Sequence, residues 1–296
     1  MFREKVEKQS YYQRLDRFLR KKLPDVPLSV IYKLLRKGKV YINGKRERDP
    51  SFRLEIGDIV EIRYVNIDKF RRAENRSLEP QPMELDIIFE NDRYLVLNKP
   101  AGIPIHPGKG VHVVTLIEGL MYYGNKKGFT PHLVHRLDKQ TSGVLIVAKD
   151  VESARMLSRL FKDRKVKKIY ICLVKGMMKE KEGIVNEPIE NQEALTEYVV
   201  LKNYNEVSLL RVIPYTGRKH QIRKHMFFIN HPVVGDNLYG DKEFNKQFKR
   251  KYGLKRFFLH CEEISFFDPW EMKKVRFKSP LPEDLSKVLS LLEKER

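Results

Sequence analysis

Asp138 is the only acid between His132 and the apolar run 144–148 in the stretch HLVHRLDKQTSGVLIVAKD, and Arg136 precedes it by two positions. The turn residues Lys139-Gln140-Thr141-Ser142-Gly143 separate the acid from the run. One carboxylate among cations is an unusual set, since acid–base enzymes commonly pair two acids, or an acid and a histidine. A neighbouring cation favours the ionised acid, which can then act as nucleophile or base.

Other chemistries fit less well. GIPIHPGKG (102–110) looks like a phosphate-binding loop, but five residues separate Gly102 from Gly108, and Gly110 stands where a Ser or Thr would hold magnesium. A turn with close backbone approach suits these glycines better. His132/His135 and His220/His225 lack the spacing that sets two imidazoles on one helix face, so no metal site is expected. G-x-S-x-G is absent, which removes the serine-hydrolase reading. A glycosidase would need a second carboxylate, and the Asp138 loop offers none.

The whole chain points to a polyanion. Its 296 residues carry 59 Lys+Arg against 39 Asp+Glu, a formal net charge of +20. Such a surface gains by displacing the counterions condensed on phosphates, so nucleic acid is the expected partner. Basic charge is denser at the front, where residues 1–80 hold 21 Lys/Arg and 12 Asp/Glu. The cysteines, Cys172 and Cys261, form no CxxC pattern, which fits a reducing cytosol. The N-terminus is too charged for a signal peptide, and no apolar run approaches the ~20 residues that span a bilayer. A cytoplasmic protein without a membrane segment is expected.

The elements that must position Asp138 fall into two groups. At the front, Leu15, Phe18 and Leu19 have helical spacing, and a second helix carries Ile31, Leu34 and Leu35, with Ser29 as N-cap and Gly38 as the stop. Lys33, Arg36 and Lys37 project from the opposite side of that helix. Asn43-Gly44 signals a type I′ hairpin, and a strand follows the turn at Gly57-Asp58. Residues 66–83, poor in apolar side chains and ending in prolines, read as a linker. Beyond it the chain is strand-rich. A hairpin turns at Asn91-Asp92, KKIYICLVKG (167–176) is a strand, and two antiparallel strands meet near Tyr204-Asn205. Helices are expected over VESARMLSRLFKD, with Asp150 as N-cap, and over RKHQIRKHMFFI. The pattern predicts an α+β domain on a mixed, largely antiparallel sheet.

Two resemblances sharpen this reading. RLDRFL, SVIYKLLRKGKVYINGK and GDIVEIR are similar to an S4-type α/β RNA-binding domain. LNKPAGIPIHPG, HRLDKQTSGVLIVAK, KKIYICLVKG and TGRKHQIRKHMFFINHPVVGDNLYG, in that order behind the front unit, resemble the RluA-type pseudouridine synthases. The resemblance implies a pseudouridine synthase fold over 84–296, an S4-like unit over 1–65 and the linker between. It makes Asp138 the catalytic aspartate, Tyr170 the residue that packs on the target base, Arg223 the cation paired with the acid, and Arg136 the side chain that accompanies base extrusion. In the S4-like unit it implies RNA contacts from Arg14, Arg17, Lys33, Arg36 and Lys37.

Isomerising uridine to pseudouridine adds and removes nothing, so no cofactor is expected. One carboxylate suffices because it acts twice, first at the ribose and then in proton loss from C5. Arg223 would hold the acid through a bidentate fork. The basic runs 162–168 and 246–256 would grip the backbone of a flipped substrate. Ribosomal RNA, that of the large subunit, is the expected partner, with transfer RNA as the alternative. A monomer is expected because no long apolar seam is visible. The stretch MMKEKEGIVNEPIENQEAL after the Tyr170 strand is shorter than the Lys/Arg-rich insert expected of many relatives. Rival readings are a non-catalytic RNA-binding assembly factor and an RNA glycosylase or nuclease.

Overall fold

The structure is a computed structural model that describes residues 2–7, 14–24, 26–65, 67, 78–107 and 113–295. It forms two compact units, Met1–Leu78 and Glu79–Arg296. The linker expected over 66–83 falls largely outside the described residues.

In the first unit, β1 (Phe2–Lys5), α1 (Leu15–Lys22), α2 (Leu28–Arg36), β2 (Val40–Ile42), β3 (Lys45–Glu47) and β4 (Ile59–Ile62) follow one another. The strands form one antiparallel sheet in the order β1-β4-β2-β3. Leu15, Phe18, Leu19, Ile31, Leu34 and Leu35 pack against Val40, Val60 and Ile62. Asn43 and Gly44 both take positive φ, which a two-residue I′ hairpin requires. The expected N-cap Ser29 lies inside α2. The helix starts at Leu28, and the Pro27 carbonyl accepts from the Val30 and Ile31 amides. Proline's fixed φ, here −55°, already suits the first turn. β1, mostly charged, carries no strand pattern of its own; β4 recruits it by four antiparallel pairs.

The second unit is built on a ten-stranded sheet. Its elements are β5 (Ile87–Glu90), β6 (Tyr94–Lys99), α3 (Leu116–Lys127), β7 (His132–Leu133), β8 (Ser142–Ala148), α4 (Val151–Lys162), β9 (Lys167–Lys175), β10 (Glu182–Val185), β11 (Thr196–Asn203), β12 (Val207–Pro214), α5 (Gln221–Phe228), α6 (Lys242–Tyr252), β13 (Leu259–Asp268), β14 (Lys273–Lys278) and α7 (Glu283–Lys294). The main strand order is β10-β11-β12-β9-β13-β8-β6-β5, with β7 beside β8 and β14 beside β13. Among the described residues only β13 and β8 run parallel, so the sheet is mixed and largely antiparallel, as the patterning predicts. The short segment after β9 supplies β10.

β8 is buried along all seven residues, which is why its sequence is a continuous apolar run. Asp150 caps α4 by accepting from the Ser153 amide at 2.7 Å. Gly143 has φ +116°, and a Cβ there would lie 2.1 Å from the Cys261 carbonyl oxygen, so the parallel pairing admits only glycine. No helix among the described residues is long and apolar enough to cross a membrane.

Candidate active site

The loop 134–141 enters β8 under tight constraint. His135 stacks on Phe161 with ring centroids 4.5 Å apart, and its Nε2 accepts from the Ile146 amide at 2.9 Å. Burial pushes this imidazole down to about 3, which keeps it neutral and able to accept. Leu137 is buried, Arg136 is exposed, and the Thr141 amide closes a turn onto the Asp138 carbonyl at 3.0 Å.

Further tethers hold the far side of the loop. Lys99, only 1% exposed at the end of β6, donates to the carbonyls of Pro100 (2.7 Å), Lys139 (3.2 Å) and Thr141 (3.0 Å). Burial lowers its ammonium to about 8. The Gly102 amide donates to the Lys139 carbonyl at 2.8 Å, the close backbone approach read from that glycine-bearing turn. Arg256 donates to the Gln140 carbonyl at 2.9 Å and grips Asp284 of α7 at 2.7 and 3.1 Å. The basic run 246–256 is expected to grip RNA, but its last member does not. Arg256 is 7% exposed and occupied inside the protein, because a rigid guanidinium can brace a carboxylate and two loops at once.

Arg223 reaches the acid from α5. Its Nη1 donates to Asp138 Oδ2 at 3.1 Å, a single contact rather than the expected fork. The bidentate fork belongs to Asp236, with Nε and Nη2 at 2.6 and 2.9 Å from its two oxygens. Asp236 is fully buried, so it demands the paired donors, while Asp138 keeps one contact and a partly open edge. Burial alone would raise the Asp236 carboxyl. Hydrogen bonds from Arg223 and the Leu238 amide overcome this and hold it low. The Arg223 guanidinium also stacks over Phe257 at 4.4 Å and Tyr239 at 5.1 Å.

His220 comes closer than its sequence context suggests. It caps α5 in the left-handed region, with φ 56°, and this turns its Nε2 to within 3.8 Å of Asp138 Oδ1. Its Nδ1 pairs with the Tyr239 hydroxyl at 3.0 Å. Burial lowers its pKa against the pull of Asp138. His225 points elsewhere, to the Glu187 carbonyl, so the two histidines share no site.

Tyr170 and Lys168 lie on the cleft side of β9. Tyr170 is 8% exposed, and burial, with the Cys261 thiol beside it, pushes its hydroxyl well above the usual phenol range. It stays protonated at neutral pH. The cleft that joins these groups has a volume of about 630 Å³. Arg136, Lys162, Arg164, Lys168, Arg218 and Lys219 line it, and among the described residues Asp138 is the one acid in its wall. The expected basic run 162–168 divides: Lys162, Arg164 and Lys168 serve the cleft, while strand alternation sends Lys167 to the reverse face. A carboxylate beside an aromatic ring in a cationic cleft can receive an extruded nucleobase and keep its flanking phosphates close.

In the first unit, Lys33, Arg36 and Lys37 are exposed on the side of α2 away from its buried residues. Arg17 is exposed as well. Arg14 is not free: it forks onto Asp16 at 2.9 and 3.1 Å.

Comparison with known proteins identifies the family. A family model described as RNA pseudouridylate synthase matches residues 93–227, and the S4 domain model matches 13–60. Ribosomal large subunit pseudouridine synthase C of Vibrio cholerae is 35% identical, covering 94% of this chain and 92% of that protein. Its namesake in Escherichia coli K12 is 37% identical, covering 96% and 94%. Among solved structures, human RNA pseudouridylate synthase domain containing 4 superposes with a TM-score of 0.59 at 25% identity, covering 70% of this chain and 93% of that one. The chain belongs to the RNA pseudouridine synthase family. It is an isomerase that acts on RNA, with an S4 domain in front.

Proposed function

We propose that this chain isomerises uridine to pseudouridine in large-subunit ribosomal RNA, with Asp138 as the reacting carboxylate. The observation that carries the chemistry is the lone acid in the described wall of a cationic cleft, oriented by Arg223 at 3.1 Å. The RNA class rests on the named substrates of the Vibrio and Escherichia relatives, which align over nearly the whole chain.

The reaction balances without a cofactor. The N1–C1′ bond breaks with its electron pair leaving on uracil, the ring turns, and C5 bonds to C1′. C5 then gives up its proton and N1 ends protonated. Asp138 engages the ribose first, by attack at C1′ or by taking the 2′ proton. In both routes the single Arg223 contact at 3.1 Å holds the carboxylate in place. Tyr170 offers the base a ring to rest on and a protonated hydroxyl for the later proton step. Arg136, exposed two residues from the acid, braces the gap the base leaves. Lys33, Arg36 and Lys37 of the S4 domain hold the RNA at a second place.

Replacing Asp138 by Asn tests the assignment. Tritium release from RNA labelled at uridine C5 should disappear while RNA binding stays close to that of the parent. Full release by the variant overturns the role of Asp138. Free uracil among the products would favour a glycosylase instead.

A further inference from the structure

The reverse face of the large sheet is divided. One half is apolar and covered: Ile171, Leu173 and Leu209 pack with Phe248 of α6 and Val288 of α7. Beyond the helices the face is open and basic. Five cations, Lys167, Arg211, Lys274, Arg276 and Lys278, outnumber two acids, Glu262 and Glu263, in a depression of about 330 Å³. We infer that this depression is a third RNA surface, which takes the phosphodiester backbone of the substrate where it leaves the cleft. The inference rests on the reading of RNA as substrate.

Three observations carry it. First, the cations are set out on a rigid lattice. Lys167 lies opposite Ser265, and Ser265 opposite Arg276, so at normal strand spacing the two cations stand about 10 Å apart across β13. Second, Glu263 is 7% exposed and holds Arg276 at 3.2 Å and Lys278 at 3.8 Å, while those two side chains remain 59% and 64% exposed. A buried acid therefore positions two cations that still face water. Lys167, Arg211 and Lys274 are exposed, and none of the three forms an ion pair among the described residues. Like charges crowded on one face repel one another, and a polyanion relieves that repulsion while releasing its own counterions. Third, the cleft and the patch both draw cations from the segment that leads into β9. Lys162 and Arg164 line the cleft just before β9 begins, and Lys167 opens β9 on the other face. Cations thus stand on both faces of the sheet at the start of the strand that carries Tyr170.

Binding of deproteinised total ribosomal RNA as a function of salt tests the surface. The combined variant Lys167→Ala, Arg211→Ala, Lys274→Ala should bind more weakly, and the slope of log K against log salt should fall by about 2 to 3. An unchanged slope in a variant with a normal melting transition overturns the inference. A second measurement needs no variant. Amine-reactive footprinting of the parent protein should find Lys167, Lys274 and Lys278 shielded when the RNA is added. If RNA shields Lys162 and Lys219 but leaves those three equally reactive, the surface does not bind RNA, and an acidic protein would be the better candidate. Tritium release by the parent reads the isomerase activity separately, so failure of this surface and failure of the proposed function are told apart.

Discussion

At the scale of single residues, Arg223 divides its contacts between two carboxylates. Arg223 devotes its fork to Asp236 and one nitrogen to Asp138. Arg223→Met should therefore strip a fully buried carboxylate of its partner and destabilise the protein by about 3 to 5 kcal/mol, which urea unfolding would measure. Asp138→Asn, at a partly open position, should leave the unfolding midpoint nearly unchanged. Equal losses in the two variants would show that the pairing has been misread. The family resemblance singles out Asp138, Tyr170 and Arg223 by their motifs, and the structure lines one cleft with all three. Asp236 is not legible in the sequence, since an aspartate after glycine reads as a turn residue and burial is invisible in one sequence. His220 escapes for another reason: its approach to Asp138 depends on a left-handed backbone that non-glycine residues seldom adopt.

Among elements, the Asp138 loop is firmly anchored, tied by the end of β6, the turn at Gly102 and the Arg256 bridge to α7. Lys99 makes part of that anchorage sensitive to pH. Its three carbonyl acceptors need three donors, and only the ammonium supplies them. As pH rises through about 8 the amine loses one donor, so kcat/KM should fall on an alkaline limb near that value. Stability moves the other way. A lysine with a lowered folded pKa contributes stability that is fully present above its ordinary 10.5 and is lost as pH falls through about 8. Lys99→Arg, which keeps its charge, should lose the limb; a limb that persists in this variant belongs to another group. Apolar patterning marks β8, β9 and β12 as nearly continuous apolar runs that are buried, and α4 as a helix with one buried stripe through Ser153 and Leu157. α7 has helical apolar spacing at Leu285, Val288 and Leu292 and β14 alternates through Val275 and Phe277, but their roles become plain only through distant partners, Arg256 for α7 and β13 for β14.

Over the whole molecule, charge and thiols are distributed in complementary ways. The formal +20 is spread over α2, the cleft and the reverse face of the sheet, three places where exposed cations cluster. If α2 grips RNA independently of the chemistry, replacing Lys33, Arg36 and Lys37 together by Ala should raise KM for ribosomal RNA and leave kcat unchanged. A fall in kcat at saturating RNA would instead place α2 in the chemical step. The front unit is legible from its hairpin and basic helix, whereas the extent of the linker lies outside the described residues. The thiols show the opposite pattern: both cysteines of the chain are fully buried, and burial pushes Cys261 up to about 12. Alkylating dyes therefore find no native thiolate at the surface. A cysteine introduced at Lys33 or Lys274 would be the sole reactive handle, so the protein is ready for site-specific fluorophores and distance measurements without first removing its own sulfur.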